Sequence, residues 1–585
     1  MNLKEIHSPA DIKGLSVKEL QSLAGDIRTA LLEKLSQTGG HVGPNLGMVE
    51  AIIAMHYVFD SPRDKIVYDV SHQSYVHKML TGRMEAFVEP DHYHDVTGYT
   101  NPAESLHDFF TIGHTSTSVS LACGLAKARD LRGGHENIIS VIGDGSLSGG
   151  EAFEGLDNAA TLRSNFIVVV NDNDMSIAPN HGGLYENLHL LRTTCGEASV
   201  NFFRSLGFNY RFVGDGNDVG ALITAFRQVK DSTAPVVVHI VTDKGHGFAP
   251  ATADKEKWHF ESPFNVATGT VYADEHPRAN ISDITARFLV DAVKADPTVV
   301  AITSATPAVM GLTPEVRATL GDNFVDVGIA EEHAAALASG LARGGMRPFW
   351  GVYSTFVQRA YDQISQDIAI NSNPAVIAVF GSTVYGMNDV THLCWFDIPL
   401  LSNIPNIVML APADTSEYLA MARWALRQRK HPVVIRVPAQ APVDLHLPVA
   451  DSYDDLNTSV QLHSGHGLAI IGVGNAMQRC LQAADLLEKD GYRPTVINAR
   501  FVSGIDAEML SALSPDHDAV ITVEDGLLDG GYGQKVAAFY ADTPMLVTTL
   551  GLPKEFLDRY DAARVADAAH LTPEGIAAQA RLMFK

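Results

Sequence analysis

Short runs of apolar, mostly β-branched residues alternate along the chain with longer stretches in which apolar residues recur at helical spacing. Runs that are apolar throughout are typical of strands buried on both faces of a parallel sheet. In the first part of the chain the pattern predicts strands at 66–70, 138–142, 166–170 and 236–241, and helices at 48–59, 115–129 and 150–162. This alternation predicts an α/β fold with doubly wound sheets.

Two polar stretches interrupt the alternation, at 251–280 and 442–457, and are interpreted as linkers. Between them the pattern predicts strands at 299–303, 324–327, 348–352, 375–380, 406–410 and 433–437, and after them at 468–473, 494–499 and 519–523. A chain of 585 residues is too long for one hydrophobic core. We therefore expect three doubly wound α/β domains, at 1–265, 280–445 and 455–585.

Charge and cysteine content narrow the classes of partner and compartment. The chain has 43 Lys and Arg against 68 Asp and Glu, a net charge of −25, and such a surface repels nucleic-acid backbones and anionic membranes. Its four cysteines form no CxxC pair, which favours a reducing compartment. No apolar run approaches the roughly 20 residues of a membrane span. We expect a cytoplasmic protein that binds neither nucleic acid nor membrane.

The strongest chemical signal is a Gly-Asp-Gly turn followed by Asn-Asp-Asn. Gly143-Asp144-Gly145 ends one predicted strand, a helix follows, and the next strand ends in Asn171-Asp172-Asn173. In a right-handed βαβ unit both strand ends open onto the same crevice. Asp144 and Asn173 can then offer oxygens to one Mg²⁺, which also takes phosphate oxygens. The glycines let a diphosphate approach the backbone, and the helix N-terminus favours an anion.

The Gly-Asp-Gly tripeptide alone decides little, because the chain contains a second copy. The copy at 214–216 lacks the helix, strand and Asn-Asp-Asn that follow the first, and we interpret it as a turn. Another element, at 326–333, places Glu331 and Glu332 at the start of a predicted helix rich in alanine. By itself this element is a helix start with acidic first-turn residues, which the helix dipole favours.

Taken together, these segments resemble the transketolase-type thiamine-diphosphate enzymes, and among them the 1-deoxy-D-xylulose-5-phosphate synthase family. The resemblance spans nearly the whole chain and is carried by GHVGPNLGMVE (40–50), YDVSHQSYVHKMLTGR (68–83), GHTSTSVSLACGLA (113–126), the Gly-Asp-Gly to Asn-Asp-Asn segment, TDKGHGFAP (242–250), VDVGIAEEHAAALASGLA (325–342) and YSTFVQRAYDQISQDIAI (353–370). It implies a transketolase-like fold, thiamine diphosphate and Mg²⁺ as cofactors, and a homodimer. The implied reaction condenses pyruvate with glyceraldehyde 3-phosphate, giving 1-deoxy-D-xylulose 5-phosphate and CO₂.

The resemblance also implies roles for individual residues. Glu331 would hydrogen-bond the aminopyrimidine ring, and the other catalytic residues, which would shuttle protons or donate hydrogen bonds to substrate, are His41, His259 and His392. The residues implied to contact the cofactor are His72, Gly113, His114, Thr115, Gly145, Ser146, Asn173, Phe248, Glu331 and Phe356. The implied metal ligands are Asp144, Asn173 and the backbone carbonyl of Met175. The implied substrate-binding residues are Tyr353 and Arg359.

Four positions depart from the family pattern. Gly381 and Ala439 stand in place of two arginines, Asn388 in place of an aspartate and Phe248 in place of a tyrosine. Arginine is favoured for phosphate recognition, and a hydrogen bond to a charged group contributes roughly 1.5–3 kcal/mol. Either nearby groups compensate, or the acceptor differs, or a loop is misaligned. The alternative function is a paralogue that joins pyruvate or another ketone donor to a different, even unphosphorylated, aldehyde.

Two further classes of function compete with a carboligase. A non-catalytic binder could retain the fold, but the joint presence of Glu331, Asp144 and Asn173 argues against it. A dehydrogenase with a Rossmann domain needs Gly-x-Gly-x-x-Gly after its first strand, and the sequence at 472–474 is too short a match.

Overall fold

A computed structural model describes residues 2–272, 280–440 and 443–584. The chain divides into two units, Met1–Pro277 with Gly328–Ala330 and Arg278–Val327 with Glu331–Lys585. The predicted linkers lie partly outside the described residues, at 273–279 and 441–442, and the three domain boundaries stay predictions. No helix within the described ranges is long and apolar enough to cross a membrane.

The first unit is built on a parallel sheet with the strand order β1-β2-β3-β5-β4. Its strands are β1 (Lys65–Tyr68), β2 (Ile138–Gly143), β3 (Phe166–Asp172), β4 (Asn209–Val213) and β5 (Pro235–Val241). Successive side chains of a strand point to opposite faces. Val141 and Val169 accordingly lie in one buried apolar cluster, and Ile142 and Val168 lie in another. Both faces are covered, which confirms the predicted doubly wound arrangement for this unit.

The helices of the first unit connect these strands. They are α1 (Val17–Thr38), α2 (Val42–Gly47), α3 (Val49–Val58), α4 (Tyr75–Lys78), α5 (Glu85–Val88), α6 (Ser118–Leu131), α7 (Gly150–Ala159), α8 (Gly183–Thr193), α9 (Phe202–Leu206), α10 (Val219–Val229) and α11 (Ala249–Ala253). The longest, α1, begins at a capping box in which the Ser16 hydroxyl accepts from the Glu19 amide and the Glu19 carboxylate accepts from the Ser16 amide.

The described part of the first predicted linker is folded into this unit, so the linker prediction is wrong for residues 251–272. The segment forms a hairpin of β6 (Phe264–Asn265) and β7 (Thr270–Val271). Trp258 and Phe264 are buried, and their rings pack on that of Phe248 with centroids 5.0 and 5.8 Å away. The polar composition of the segment concealed its two aromatic anchors, Trp258 and Phe264.

The second unit contains two larger sheets. The parallel six-stranded sheet has the order β12-β13-β11-β10-β8-β9 and consists of β8 (Val299–Thr303), β9 (Phe324–Asp326), β10 (Arg347–Tyr353), β11 (Val376–Phe380), β12 (Val408–Leu410) and β13 (Val433–Val437). The five-stranded sheet has the order β14-β16-β15-β17-β18 and consists of β14 (Val460–His463), β15 (Gly467–Val473), β16 (Thr495–Asn498), β17 (His517–Leu527) and β18 (Leu546–Leu552). Only its edge strand β14 is antiparallel to its neighbour among the described pairs.

Helices flank both sheets of the second unit. They are α12 (Ile281–Ala295), α13 (Pro314–Leu320), α14 (Glu331–Arg343), α15 (Tyr361–Gln363), α16 (Asp397–Leu401), α17 (Thr415–Arg427), α18 (Met477–Lys489), α19 (Ala507–Leu513), α20 (Tyr532–Phe539), α21 (Ala562–Ala568) and α22 (Pro573–Leu582). Ile377 of the six-stranded sheet and Ile471 of the five-stranded sheet belong to one buried apolar cluster. The carboxylate of Glu417 accepts a hydrogen bond from Arg500 Nε at 2.7 Å. The two sheets therefore share a core and a buried ion pair.

A matched pair of substitutions tests this shared core. Ile377→Ala should lower the thermal unfolding midpoint clearly, because deleting a buried isoleucine costs about 2–5 kcal/mol. Ile370, which is 64% exposed, provides the control: Ile370→Ala should change stability by about 0.5 kcal/mol or less. Equal shifts in the two variants, measured by circular dichroism, would contradict the assignment of Ile377 to the core.

Candidate active site

The carboxyl ends of β2 and β3 bring the predicted metal residues together. Gly143 is the register partner of Asn171, so both strands leave the sheet at the same edge. The backbone amide of Met175 donates to Asp144 Oδ2 at 3.1 Å, which places the turn after β3 against this carboxylate. Asn173 Oδ1 is buried and has no hydrogen-bond partner among the described residues. The turn thus offers an amide oxygen beside a carboxylate.

The carboxyl group of Asp144 is buried near a second carboxylate, that of Asp172. Burial, and then the nearby carboxylate of Asp172, raise the pKa of Asp144 to about 8. A hydrogen bond from Asn180 Nδ2 at 2.9 Å and the more distant charge of Lys244 act in the opposite direction. Among the described residues no three His, Cys, Asp or Glu side chains group as a metal site. A carboxylate, an amide and a backbone carbonyl are nevertheless ligands that suit Mg²⁺.

Asp172, the middle residue of Asn-Asp-Asn, has a different set of partners. Arg192 Nη1 donates to both of its carboxylate oxygens, at 2.7 and 2.9 Å. His239 Nε2 lies 2.9 Å from Oδ2, and the hydroxyl of Tyr210 lies 2.7 Å from His239 Nδ1. Although burial opposes it, hydrogen bonding to His239 and Arg192 holds the pKa of Asp172 below its usual value. The side chain of Asp172 thus fixes the end of β3, and the turn that follows it, to Arg192 and His239.

A third buried carboxylate, that of Asp69, joins two loops that are predicted to contact the cofactor. Asp69 accepts hydrogen bonds from the backbone amides of Ser116 and Ser118, at 2.7 and 2.9 Å. The hydroxyl of Ser116 donates to the backbone carbonyl of Ser146 at 2.8 Å. The loop that carries residues 113–115 is therefore fixed against the loop that follows Asp144.

Lys244 is a site residue that sequence reasoning missed. Its Nζ donates to the backbone carbonyl of Ser176 at 2.6 Å and lies 3.1 Å from His259 Nδ1. Burial lowers the pKa of Lys244 to about 8. Ser176 in turn packs so closely on Gly145 that a Cβ at Gly145 would lie 2.8 Å from Ser176 Cβ, which explains the glycine. The lysine lies within the quoted segment 242–250, where no residue pattern distinguishes it from a surface lysine.

Three of the predicted histidines form one cluster. The ring centroids of His41, His72 and His259 lie 4.9 to 5.7 Å apart. Asn45 Nδ2 donates to the backbone carbonyls of His41 and His72, both at 2.8 Å, and so joins the two segments. Burial lowers the pKa of His41 to about 3 and that of His259 well below its usual value. Burial therefore favours the neutral forms of His41 and His259, and a neutral imidazole can donate one hydrogen bond and accept another.

In the second unit, Glu331 is the first residue of α14 and is buried. Burial raises the pKa of its carboxyl group to about 7, and the guanidinium of Arg359 partly opposes the shift. Arg359 Nη1 lies 3.8 Å from Oε2, which has no hydrogen-bond partner among the described residues. Burial therefore favours the protonated form of this carboxyl group. A protonated carboxyl can share its proton with a ring nitrogen.

Aromatic side chains bring three further predicted residues together. Tyr353 ends β10, and its ring centroid lies 5.8 Å from that of Phe356. Phe356 in turn lies 5.7 Å, edge to face, from His392. His392 is buried, and its Nδ1 lies 2.8 Å from the hydroxyl of Thr391. Tyr353, Phe356 and His392 thus form one cluster, and their roles stay predictions.

The surroundings of Gly381 and Ala439, the positions where the family pattern has arginines, are different from each other. Gly381 has a φ of +77°, and a Cβ there would lie 3.6 Å from Tyr353 Cδ1 and 3.7 Å from Cys394 Sγ. Ala439 lines a groove of about 570 Å³ whose polar walls include Tyr385, Gln440, Asn475 and Gln478. Arg436, three residues before Ala439, is buried and paired with Asp397 at 2.7 Å. Among the described residues that line the groove at Ala439, the polar side chains carry hydroxyl, amide and carboxylate groups, the last from Asp414, and no guanidinium group.

Comparisons with solved structures returned transketolases. The transketolase of Leishmania mexicana matches with a TM-score of 0.44 and 16% identity, covering 96% of this chain and 97% of that one. The transketolase of Campylobacter jejuni matches with a TM-score of 0.44 and 18% identity, covering 96% and 99%.

Sequence comparisons gave closer matches. The family described as 1-deoxy-D-xylulose-5-phosphate synthase matches residues 3–200 and 195–242, the transketolase pyrimidine-binding domain matches 278–442, and the transketolase C-terminal domain matches 458–576. These matches confirm the predicted transketolase-like fold class. A 1-deoxy-D-xylulose-5-phosphate synthase of Symbiobacterium thermophilum is 40% identical over 100% of this chain and 95% of the relative. One of Caldanaerobacter subterraneus is 37% identical over 98% of each. The chain therefore belongs to the 1-deoxy-D-xylulose-5-phosphate synthase family.

Proposed function

We propose that this chain condenses pyruvate with glyceraldehyde 3-phosphate, with loss of CO₂, to give 1-deoxy-D-xylulose 5-phosphate. The observation that carries the proposal is Glu331, a buried carboxyl with a pKa of about 7 at the start of α14. The relatives that bear the name of this activity match the chain over nearly its full length. Their names favour this reaction over the alternative of a different aldehyde acceptor.

The residues present fit thiamine diphosphate and Mg²⁺. Asp144, Asn173 and the carbonyl of Met175 would hold the metal ion, since Asn173 Oδ1 is buried without a hydrogen-bond partner in the described chain. Glu331 would donate its proton to a nitrogen of the pyrimidine ring, because Oε2 is likewise unpartnered there. When bound, the cofactor supplies a nucleophilic carbon and an electron sink for decarboxylation.

The histidine cluster and Lys244 would orient pyruvate. His41 and His259 are neutral, because burial lowers the pKa of each. A neutral imidazole can donate to a carboxylate without fixing a permanent charge on it. The buried ammonium of Lys244, 3.1 Å from His259 Nδ1, adds a positive charge that favours an anionic substrate. Burial of these groups also keeps water away from the reacting atoms.

The cluster of Tyr353, Phe356 and His392 would bind the aldehyde. His392 would donate to the aldehyde oxygen or to an acceptor hydroxyl, and Arg359 would supply positive charge for the phosphate. We expect weak affinity for the phosphate, because the described polar residues of the groove beside Ala439 include neutral amides and the carboxylate of Asp414. Neutral amides bind phosphate less strongly than guanidinium groups.

We also propose that the enzyme is a cytoplasmic homodimer. The four cysteines are free thiols, which supports a reducing compartment. The dimer rests on the family resemblance alone. Light scattering of the purified protein measures the oligomeric state directly.

The acceptor preference tests the proposed reaction. With pyruvate, Mg²⁺ and thiamine diphosphate, product formation from glyceraldehyde 3-phosphate should exceed that from D-glyceraldehyde in kcat/KM by about tenfold or more, the worth of one charge-assisted contact. Product is identified by mass spectrometry, and omission of pyruvate is the control. A preference for D-glyceraldehyde would refute the proposed acceptor and favour the paralogue.

Glu331→Gln should lower kcat by about a hundredfold or more, because the amide cannot transfer a proton to the ring. Binding of thiamine diphosphate, measured by calorimetry, should change by less than about tenfold, since the amide keeps a hydrogen-bonding group in place. Glu332→Gln is the matched control and should leave kcat within about twofold. Normal turnover of Glu331→Gln would show that this glutamate is not the proton donor.

The two Gly-Asp-Gly copies provide a test of the metal site. Asp144→Asn should raise the Mg²⁺ concentration needed for half-maximal binding of thiamine diphosphate by about tenfold or more, because an anionic ligand becomes neutral. Asp215→Asn, in the exposed second copy, should leave the Mg²⁺ titration unchanged. The titration is followed by calorimetry without substrate. An identical response of the two variants would exclude Asp144 as a metal ligand.

A further inference from the structure

The loop that carries His392 spans residues 381–396 and is called here the His392 loop. It follows β11 of the six-stranded sheet and leads into α16. Much of its backbone is hydrogen-bonded to the domain that contains the five-stranded sheet. The contacts come from two places in that domain, the end of β17 and the segment 558–560.

Tyr560 makes the first set of contacts. Its hydroxyl donates to the backbone carbonyls of Val384 and Met387, at 2.8 and 3.2 Å. Its ring packs edge to face on Trp395, with centroids 5.3 Å apart. A single side chain therefore contacts both the start and the end of the His392 loop.

The two residues before Tyr560 extend these contacts toward His392. Asp558 Oδ1 accepts from the backbone amide of Val390 at 3.1 Å. The amide of Arg559 donates to the carbonyl of Asn388 at 2.8 Å, and Asn388 Nδ2 donates to the carbonyl of Tyr560 at 3.3 Å. Arg559 adopts a φ of +46°. Such a conformation costs energy in a non-glycine residue and persists where surrounding contacts enforce it.

The end of β17 holds the loop from its other side. Asp525 Oδ1 accepts from the amide of Val384 at 3.0 Å, and its Oδ2 accepts from Asn475 and Arg479, at 3.0 and 3.1 Å. The amide of Leu527 donates to the carbonyl of Trp395 at 2.8 Å. Asp525 is fully buried, so loss of these partners would leave a charge without compensation.

We propose that the C-terminal domain positions the acceptor-binding His392 loop, with Tyr560 and Asp558 as its positioning residues. The inference rests on the proposed function, because it assigns aldehyde binding to His392. The His392 loop has no strand or long helix of its own, so its order depends on hydrogen bonds to the other domain. A loop that is already ordered before the aldehyde binds loses less conformational entropy on binding. The polar contacts at residues 388 and 390, just before His392, restrict the position of the backbone that carries its imidazole.

The test removes one hydroxyl. Tyr560→Phe deletes the two bonds to Val384 and Met387 but keeps the ring on Trp395. Tyr540→Phe is the matched control, because the Tyr540 hydroxyl also donates to a backbone carbonyl, that of Leu510 at 2.6 Å, in the same domain. Hydrogen exchange of the peptide 384–395 is measured by mass spectrometry on the full-length protein. KM for glyceraldehyde 3-phosphate and KM for pyruvate are measured in parallel.

Tyr560→Phe should raise exchange in this peptide and the KM for the aldehyde, each by about fivefold, the worth of one net hydrogen bond. KM for pyruvate should stay within about twofold, and Tyr540→Phe should change none of the three values. Asp558→Ala should raise exchange and the KM for the aldehyde in the same way. Asp558→Asn, which retains an oxygen acceptor, should keep both values close to those of the wild type.

Unchanged exchange in both Tyr560→Phe and Asp558→Ala would overturn the proposal. Faster exchange with unchanged KM for the aldehyde would also overturn it, because the loop would then be held but not for acceptor binding. Absence of wild-type turnover with these two substrates would instead refute the proposed function, and exchange would still report on the contacts. Equal rises in the two KM values would indicate a general loss of structure and count against a specific positioning role.

Discussion

The parallel pairing of β2 with β3 is the constraint on which the first-unit part of the site depends. Gly143 and Asn171 are partners in register, so the residues that follow both strands emerge at one edge of the sheet. Because side chains alternate along a strand, a slip of one residue would exchange the two faces. Asp172 would then lose its buried partners, and the Met175 amide would no longer reach Asp144.

Two carboxyl groups have raised pKa values for the same main reason, since burial disfavours their charged forms. Asp144 lies near a second carboxylate, that of Asp172, whereas Glu331 lies near the guanidinium of Arg359. The shift of the Asp144 pKa is increased by a neighbouring negative charge, whereas that of the Glu331 pKa is reduced by a neighbouring positive charge.

The sequence predicted the buried strands well, because continuous β-branched runs have few alternatives. It missed β4, β14 and β18, which lie at sheet edges and mix polar with apolar residues. It also identified the clusters around His41 and His392 only through the family resemblance. Lys244 and Asn180 were missed because their importance comes from long-range contacts, with His259 and Asp144, and no local spacing encodes such contacts.

The anchoring of Asp172 has a consequence for how the Asn-Asp-Asn motif can vary among homologues. Its partners lie 20 residues onward, at Arg192, and 67 residues onward, at His239. Arg192 also pairs with Asp174 at 2.8 Å, so one guanidinium spans the turn. Replacing Asp172 alone would remove the acceptor of the buried His239 Nε2 and one of the two carboxylates that pair with Arg192. Substitutions at residue 172 should therefore be correlated with substitutions at 192 and 239. Transfer of the Asn-Asp-Asn motif into another protein would require Arg192 and His239 as well.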